Sequence, residues 1–434
     1  MADMEYILVA QYFRPDTAAT GQLMTDLAVG LEARGDDMTV YTTQPNYHSG
    51  DFNRQPRRET YEGVDIHRIR APQFQQTSLP RRAFNWFVYT TWMSAILLVS
   101  STVKDREVIF VSNPPFFPLS MWAVCRLRGL SYTYIVHDLW PEKGIKFGFW
   151  SEGGVVDRVW SAIHARVLRD ASAVVTLGDR MHDGILQYDA GDDLDERVTV
   201  IHNWADGDFI RPRKKKNNWF SKEHGLVDEF TLLYSGNLGL FHDVETPIRG
   251  VATCEADMNF LIVGEGDARE HLVDVAEELG IRGDRVEFLP YQPQENLPYS
   301  LTCADVAVVS VGEGFEGTCV SSKLYTALAT GQPVLVVAAP DADEARIITD
   351  NDAGQQVAQG DIEGVAEAIE RWRENPDLLE RQGENARKLF EQRFTRERAI
   401  DQYYQMLGGE MSGGAGDVSA GPGDSSAESE EVST

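Results

Sequence analysis

The sequence predicts an α/β protein made of two parallel-sheet halves that face each other across a cleft. Three observations carry this. Short β-branched runs alternate with helical stretches as far as about residue 360, the mark of a parallel sheet covered by helices. The series breaks once and restarts. At 434 residues the chain is too long for one ordinary core and suits two. Two packed units imply a groove between them, and grooves take small ligands.

In the first half the runs are Tyr6 to Ala10, Met38 to Thr42, Val64 to Ile69, Val108 to Val111, Tyr132 to Val136, Ala173 to Leu177 and Val198 to Ile201. The second series comprises Phe230 to Tyr234, Phe260 to Val263, Val286 to Phe288, Val306 to Val309 and Pro333 to Val337. Between them Asn203 to Asp228 has no periodic apolar pattern and reads as a hinge. The expected organisation is a first domain over 1–204, a hinge over 205–228, a second domain over 229–407 closed by C-terminal helices, and an acidic tail over 408–434 with little to bury.

Composition narrows the function. Hydrophobic content of 42% supplies two cores, while 68 acidic against 40 basic residues leave a net charge of −28, and lysine is scarce. Molar salt shortens the Debye length to roughly 3 Å and would screen such self-repulsion, so the balance points to a halophilic habitat. It also speaks against nucleic acid, whose phosphates would be repelled. Cys125, Cys254, Cys303 and Cys319 are far apart, which favours neither a zinc site nor a disulfide framework. No basic region followed by a long apolar stretch opens the chain, so a cytoplasmic protein is expected.

Two segments could meet a membrane. Residues 83–103 carry no charge and are rich in aromatic and aliphatic side chains, though Asn, Ser and Thr interrupt them. A core helix, an interfacial helix and a membrane span all fit such a segment, and a span would cut the first domain in two. Residues 211–220 join Arg211, Arg213 and Lys214 to Lys216 with Trp219 and Phe220, a pattern suited either to a solvated hinge or to anionic head groups.

Ligands of parallel sheets bind beyond the carboxyl ends of strands, so the residues following each run are the candidates. After the first run, Gly21 stands at a helix entrance, as an anion contact or a simple turn. After the fifth, Pro141 leaves His137 and Asp138 at the strand end, where a histidine and a carboxylate suit sugar hydroxyls. In the second half Gly236 and Asn237 lie in one glycine loop and Glu265 and Gly266 in the next, together a nucleotide platform without a dinucleotide fingerprint. Lys323 follows Ser321 and Ser322 at a helix start; either serine could cap the helix, whose N-terminus with the ammonium would stabilise a diphosphate.

The segments YFRPDTAATGQ, HDLWPE, LYSGNLG, FLIVGEGD and VSSKLYTALATGQPV, in this order and spacing, resemble the retaining glycosyltransferases of the family-four type with the GT-B fold. The resemblance covers about residues 5 to 405 and is nearest to the subgroup that builds surface polysaccharides and lipid-linked oligosaccharides. It implies two Rossmann-like domains, a nucleotide diphosphate sugar donor and a lipid-linked or glycan acceptor; segments 83–103 and 211–220 are expected to give peripheral contact at the cytoplasmic face of the membrane. The donor's nucleotide and diphosphate would meet Gly236, Asn237, Glu265, Gly266, Ser322 and Lys323; the sugar would meet His137 and Asp138; Gly21 would face the phosphate or acceptor. Catalysis would be metal-independent, the DxD-like pairs Asp341/Asp343 and Asp350/Asp352 being chance in so acidic a chain.

The chain departs from the family where many relatives carry two glutamates, for the matching positions are Thr318 and Thr326. Glu313 or Glu316 is then the candidate carboxylate for the donor sugar. The basic residue often found after the glycine loop is replaced by Leu240, Phe241 and His242, leaving His242 or Arg269 to share the diphosphate with Lys323. A nucleotide-sugar epimerase of the same fold and a non-catalytic sugar-nucleotide scaffold are the alternatives.

Overall fold

The computed structural model describes residues 4–16, 18–45, 54–70, 79–255 and 257–409. The acidic tail beyond 409 therefore lies outside the described residues.

The first sheet holds eight strands: β1 (Glu5–Val9), β2 (Asp37–Thr42), β3 (Arg58–Tyr61), β4 (Val64–Arg68), β5 (Glu107–Val111), β6 (Tyr132–Ile135), β7 (Ala173–Thr176) and β8 (Val198–Val200). Their order is β3-β4-β2-β1-β5-β6-β7-β8, and every pairing is parallel except β3 with β4. The second sheet holds β9 (Thr231–Ser235), β10 (Asn259–Val263), β11 (Val286–Leu289), β12 (Val306–Ser310), β13 (Val334–Val337) and β14 (Gly354–Val357). It is parallel throughout, in the order β11-β10-β9-β12-β13-β14. Central strands such as β12 are buried along their whole length, as sheets covered on both faces must be.

Helices α1 (Ala19–Glu32), α2 (Leu79–Val99), α3 (Phe117–Arg128), α4 (Glu142–Lys146), α5 (Val155–Asp170) and α6 (Asp179–Leu186) belong to the first half. In α2 the uncharged segment is two-faced. Tyr89, Met93 and Leu97 recur every fourth residue and enter the core, while Phe84, Phe87, Trp92 and Leu98 face outward. No helix among the described residues is long and apolar enough to cross a membrane.

The last helix, Arg396–Met406, expected with the second half, crosses back to the first. Ala399, Ile400 and Tyr403 join Leu27, Ala28 and Leu31 in one core cluster, and Tyr6 donates its hydroxyl hydrogen to Leu407 O at 2.9 Å. Gly30 makes room, since a Cβ there would stand 2.3 Å from Ile400 Cδ1. The chain thus crosses between the halves twice.

The basic hinge is less free than expected. Lys215 pairs with Asp305 at 2.8 Å, Arg211 with Asp208 at 2.6 Å, and Arg213 lies over the Tyr299 ring. Phe220, read as a surface aromatic, is buried in a cluster with Leu226, Leu233 and Leu261. Trp219 remains exposed.

Ile400→Ala should lower the free energy of unfolding by about 2–5 kcal/mol, the cost of a cavity at a buried aliphatic side chain. Chemical denaturation measures it, and a loss under about 0.5 kcal/mol, the usual scatter of a surface substitution, would show that the helix does not pack there.

Candidate active site

The site forms where the carboxyl ends of β6, β9, β10 and β12 converge. After β6 the chain turns at Pro141, and Ser112 Oγ accepts the backbone N–H groups of His137 and Asp138 at 3.0 and 2.9 Å. The same stretch reaches the second half: Leu139 N donates to Thr318 O at 2.8 Å, and Asp138 and Cys319 form an antiparallel bridge. Main-chain bonds therefore hold the HDLWPE segment against the loop that leads into Lys323.

Two of these residues gain their character from burial. His137 is buried, which pushes its imidazole down to about 4, against the smaller upward pull of Asp138. The ring is neutral near pH 7, able to accept or donate a hydrogen bond but carrying no charge. Asp138 binds the ammonium of Lys143, a buried lysine on α4 whose Nζ also lies 4.4 Å from the Phe241 ring of the second half. Asp138 raises the Lys143 ammonium above its ordinary value in spite of burial. A lysine directly after Pro-Glu on a short helix carries no sequence signal of this role; only the approach to Asp138 reveals it.

On the second half, Lys323 opens the helix Lys323–Thr330 and its stem runs across Gly236. A Cβ at Gly236, where φ is +140°, would lie 2.6 Å from Lys323 Cε. Gly264 is needed equally, because a Cβ there would meet Gly236 O at 2.0 Å. The two glycine loops are thus pressed together, with Leu238 N donating to Glu265 O at 2.9 Å and Ala268 N donating to Leu238 O.

Lys323 Nζ meets His242 Nε2 at 2.9 Å, and His242 Nδ1 lies 2.8 Å from Ser310 O. A carbonyl can only accept, so Nδ1 carries the proton and Nε2 accepts from the ammonium. Burial and then the Lys323 charge hold His242 well below its ordinary value, which keeps the ring neutral. Burial likewise brings the Lys323 ammonium down to about 7, with Cys319 and Glu344 pulling it back up. The result is an aimed, partly desolvated cation beside two glycine loops, which suits a diphosphate.

The remaining candidates divide. Ser322 precedes the helix without a side-chain cap bond, and Ser321 offers its N–H to the buried Glu344 at 2.7 Å, so neither serine caps as expected. Burial raises that carboxyl to about 7, the Ser321 N–H opposing. Glu316 accepts from Gln359 at 2.7 Å and Glu313 is exposed. Asn237 gives its carbonyl to Tyr234 Oη at 2.9 Å, and exposed Glu265 pairs with Arg269 at 3.4 Å, which leaves His242 as the neighbour of Lys323. Gly21 sits inside the first turn of α1 against Tyr12 and Phe13, close enough that a Cβ would crowd both. Of the DxD-like pairs, Asp343 caps α6 from the opposite half through Asp179 N and Arg180 N, and Asp341 pairs with Arg180 at 2.7 Å. Among the described residues no three His, Cys, Asp or Glu side chains gather as metal ligands.

This architecture is the GT-B fold. The crystal structure of Anabaena Alr3699/HepE in complex with UDP and glucose superposes with a TM-score of 0.70, at 14% identity over 93% of this chain and 99% of that one. Residues 19–204 match the glycosyl transferase 4-like domain and residues 216–389 match the glycosyl transferases group 1 family. The chain is a glycosyltransferase. Among curated proteins it is similar to the probable glycosyltransferase WbjE of Pseudomonas aeruginosa, 22% identical over 65% of this chain and 70% of that one. It is also similar to the putative colanic acid biosynthesis glycosyl transferase WcaI of Escherichia coli K12, 22% identical over 77% of this chain and 83% of that one.

Two outcomes follow. The affinity for a diphosphate anion should be full below about pH 6 and fall above the free-site value of about 7, by up to about tenfold per unit until the value of the complex is reached. Calorimetric titration from pH 6 to 9 measures this, and a flat profile would mean that Lys323 does not meet the anion. Lys143→Met, which strands Asp138, should cost about 3 kcal/mol of stability by denaturant unfolding, whereas a neutral effect would mean that the pair is not closed off from water.

Proposed function

We propose that the chain transfers a sugar from a nucleotide diphosphate sugar to a lipid-linked glycan acceptor at a membrane surface, in the assembly of surface glycans and with retention of anomeric configuration. The observation that carries the donor part is the hydrogen-bonded Lys323–His242 pair at the junction of the two glycine loops. The leaving group of sugar transfer from such a donor is a nucleoside diphosphate, and an ammonium already positioned at the oxygens where charge develops lowers the barrier without reorganisation. In this reading the loop amides near Gly236, Asn237 and Gly266 hold the phosphates and Lys323 takes the growing charge. His137, neutral and at the groove, binds a hydroxyl of the sugar, and Asp138, oriented by Lys143, binds another or the incoming acceptor. Glu313 and Glu316 flank the same loop as candidate sugar contacts.

The donor class is supported by HepE, whose structure holds UDP and glucose, and the acceptor class by WcaI, described as acting in colanic acid biosynthesis. The membrane part rests on α2. Its outward Phe84, Phe87, Trp92 and Leu98 form an apolar stripe, and at its start Arg82 bonds Asp267, next to the second glycine loop, at 2.7 Å. A bilayer touching α2 would lie beside the groove mouth, where a lipid-borne acceptor must enter.

Lys323→Ala should reduce transfer by at least about a hundredfold while far-UV circular dichroism and melting temperature stay near wild type. Full activity in that variant would remove the proposed role of the cation. A panel of nucleotide sugars screened by thermal shift identifies the donor, because only a ligand of the folded state raises the melting temperature. In co-sedimentation with anionic vesicles, Phe87→Ser with Trp92→Ser should leave most of the protein in the supernatant, and undiminished pelleting would return α2 to a purely internal role.

A further inference from the structure

Aromatic contacts run from the donor loop to the outside of the first half. Phe241, the neighbour of His242, meets Phe315 with ring centroids 6.3 Å apart, and Phe315 meets Phe147 of the opposite half at 4.9 Å. Phe147 stacks on Phe149 at 5.5 Å, Phe149 meets Trp150 at 6.0 Å, and Trp150 meets Trp160 at 5.3 Å. The inner end of this track is closed, Phe315 being 9% exposed. The outer end is open: Phe149 is 47% exposed, Phe116 on Trp160 is 48% exposed, and Val155 and Val159 at the start of α5 are 80% and 54% exposed.

Core packing accounts for the inner rings but not for the outer ones. β-Branched valines are poor choices for a solvated first turn of a helix, where polar residues serve better. The local backbone is also shaped to seat the track, since a Cβ on Gly144 of α4 would come 2.1 Å from the Trp150 ring. Beside Phe147 stands Lys146, exposed and without an ion pair or hydrogen bond among the described residues, its Nζ 3.6 Å from where a Cβ on Gly314 of the second half would be. In a chain of net charge −28, an unpaired lysine at the seam between the halves followed by an outward apolar path matches a ligand that is anionic at one end and hydrocarbon beyond.

We propose that this track is a subsite for an isoprenoid chain bearing a phosphate, with the phosphate beside Lys146 and the chain lying over Phe149, Trp150, Phe116 and the α5 valines. The inference rests on the transferase reading above and adds where on the first half its acceptor's lipid lies. It is separate from the α2 stripe, whose nearby cation, Arg82, is already paired with Asp267.

Equilibrium binding of geranylgeranyl monophosphate to the full chain tests it, followed by tryptophan emission because Trp150 and Trp160 lie in the track. The wild type should saturate, and Phe149→Ser and Lys146→Ala should each raise the dissociation constant about tenfold with melting temperature unchanged. Inorganic phosphate alone and geranylgeraniol alone should bind at least about tenfold more weakly, since each supplies half of the contacts. Should Phe149→Ser fail to fold, Val159→Ser makes the same test at an exposed position. Wild-type affinity in these variants would overturn the proposal, and so would an equal response to phosphatidylglycerol vesicles, which would mark a bilayer surface instead. Nucleotide-sugar binding without geranylgeranyl phosphate binding would sink the subsite and leave the transferase reading standing. The reverse result would sink the proposed donor reading at Lys323 and keep the subsite.

Discussion

An ammonium group taken out of water and left without a carboxylate partner is costly, and Lys323 is such a group: its near neighbour is the neutral imidazole of His242. The fold bears that cost only because several separate elements close around the position. Gly236 leaves room for the lysine stem, Gly264 lets the two glycine loops touch, and Ser310 fixes the histidine tautomer. A carboxylate in place of His242 would satisfy the lysine permanently and leave nothing for an incoming anion. A neutral acceptor orients the ammonium and, in the proposed reading, leaves it available to a diphosphate.

The first half contributes through the same economy of charge. Asp138 has its own cation in Lys143, so it does not compete for Lys323, although both lysines approach Cys319 and both bear on His242. The main-chain bridge between Asp138 and Cys319 keeps the two cation systems side by side while assigning each to one half. Asp343 capping α6 and the last helix packing on α1 are further ties between the halves. Movement of one half against the other must work against these contacts, which confines it to directions that preserve them.

Much of this was legible in the sequence because parallel strands buried on both faces are written as continuous β-branched runs, and because glycine and lysine stand out at their ends. Lys323, Gly236, His137 and Asp138 were singled out that way; the structure sets Lys323 against Gly236 and bridges Asp138 to Cys319. Strands β3 and β14 escaped because RETY and GQQV lie at sheet edges, half wet and without the apolar signature. The helix Arg396–Met406 was assigned to the wrong half because an amphipathic pattern shows that a helix packs but not on what. Lys143 carries no sequence signal and Asp343 reads as part of a chance DxD-like pair; their roles arise from contacts between the halves, at sequence separations of 98 for Lys143 over Phe241 and 164 for Asp179 with Asp343.

The most direct measurement is a structure of the full chain with a bound nucleoside diphosphate. The account predicts phosphate oxygens within hydrogen-bonding distance, about 3 Å, of Lys323 Nζ and of a main-chain amide in the glycine loops. Phosphates held elsewhere, with Lys323 still bonded to His242 and no anion between them and the loops, would contradict it.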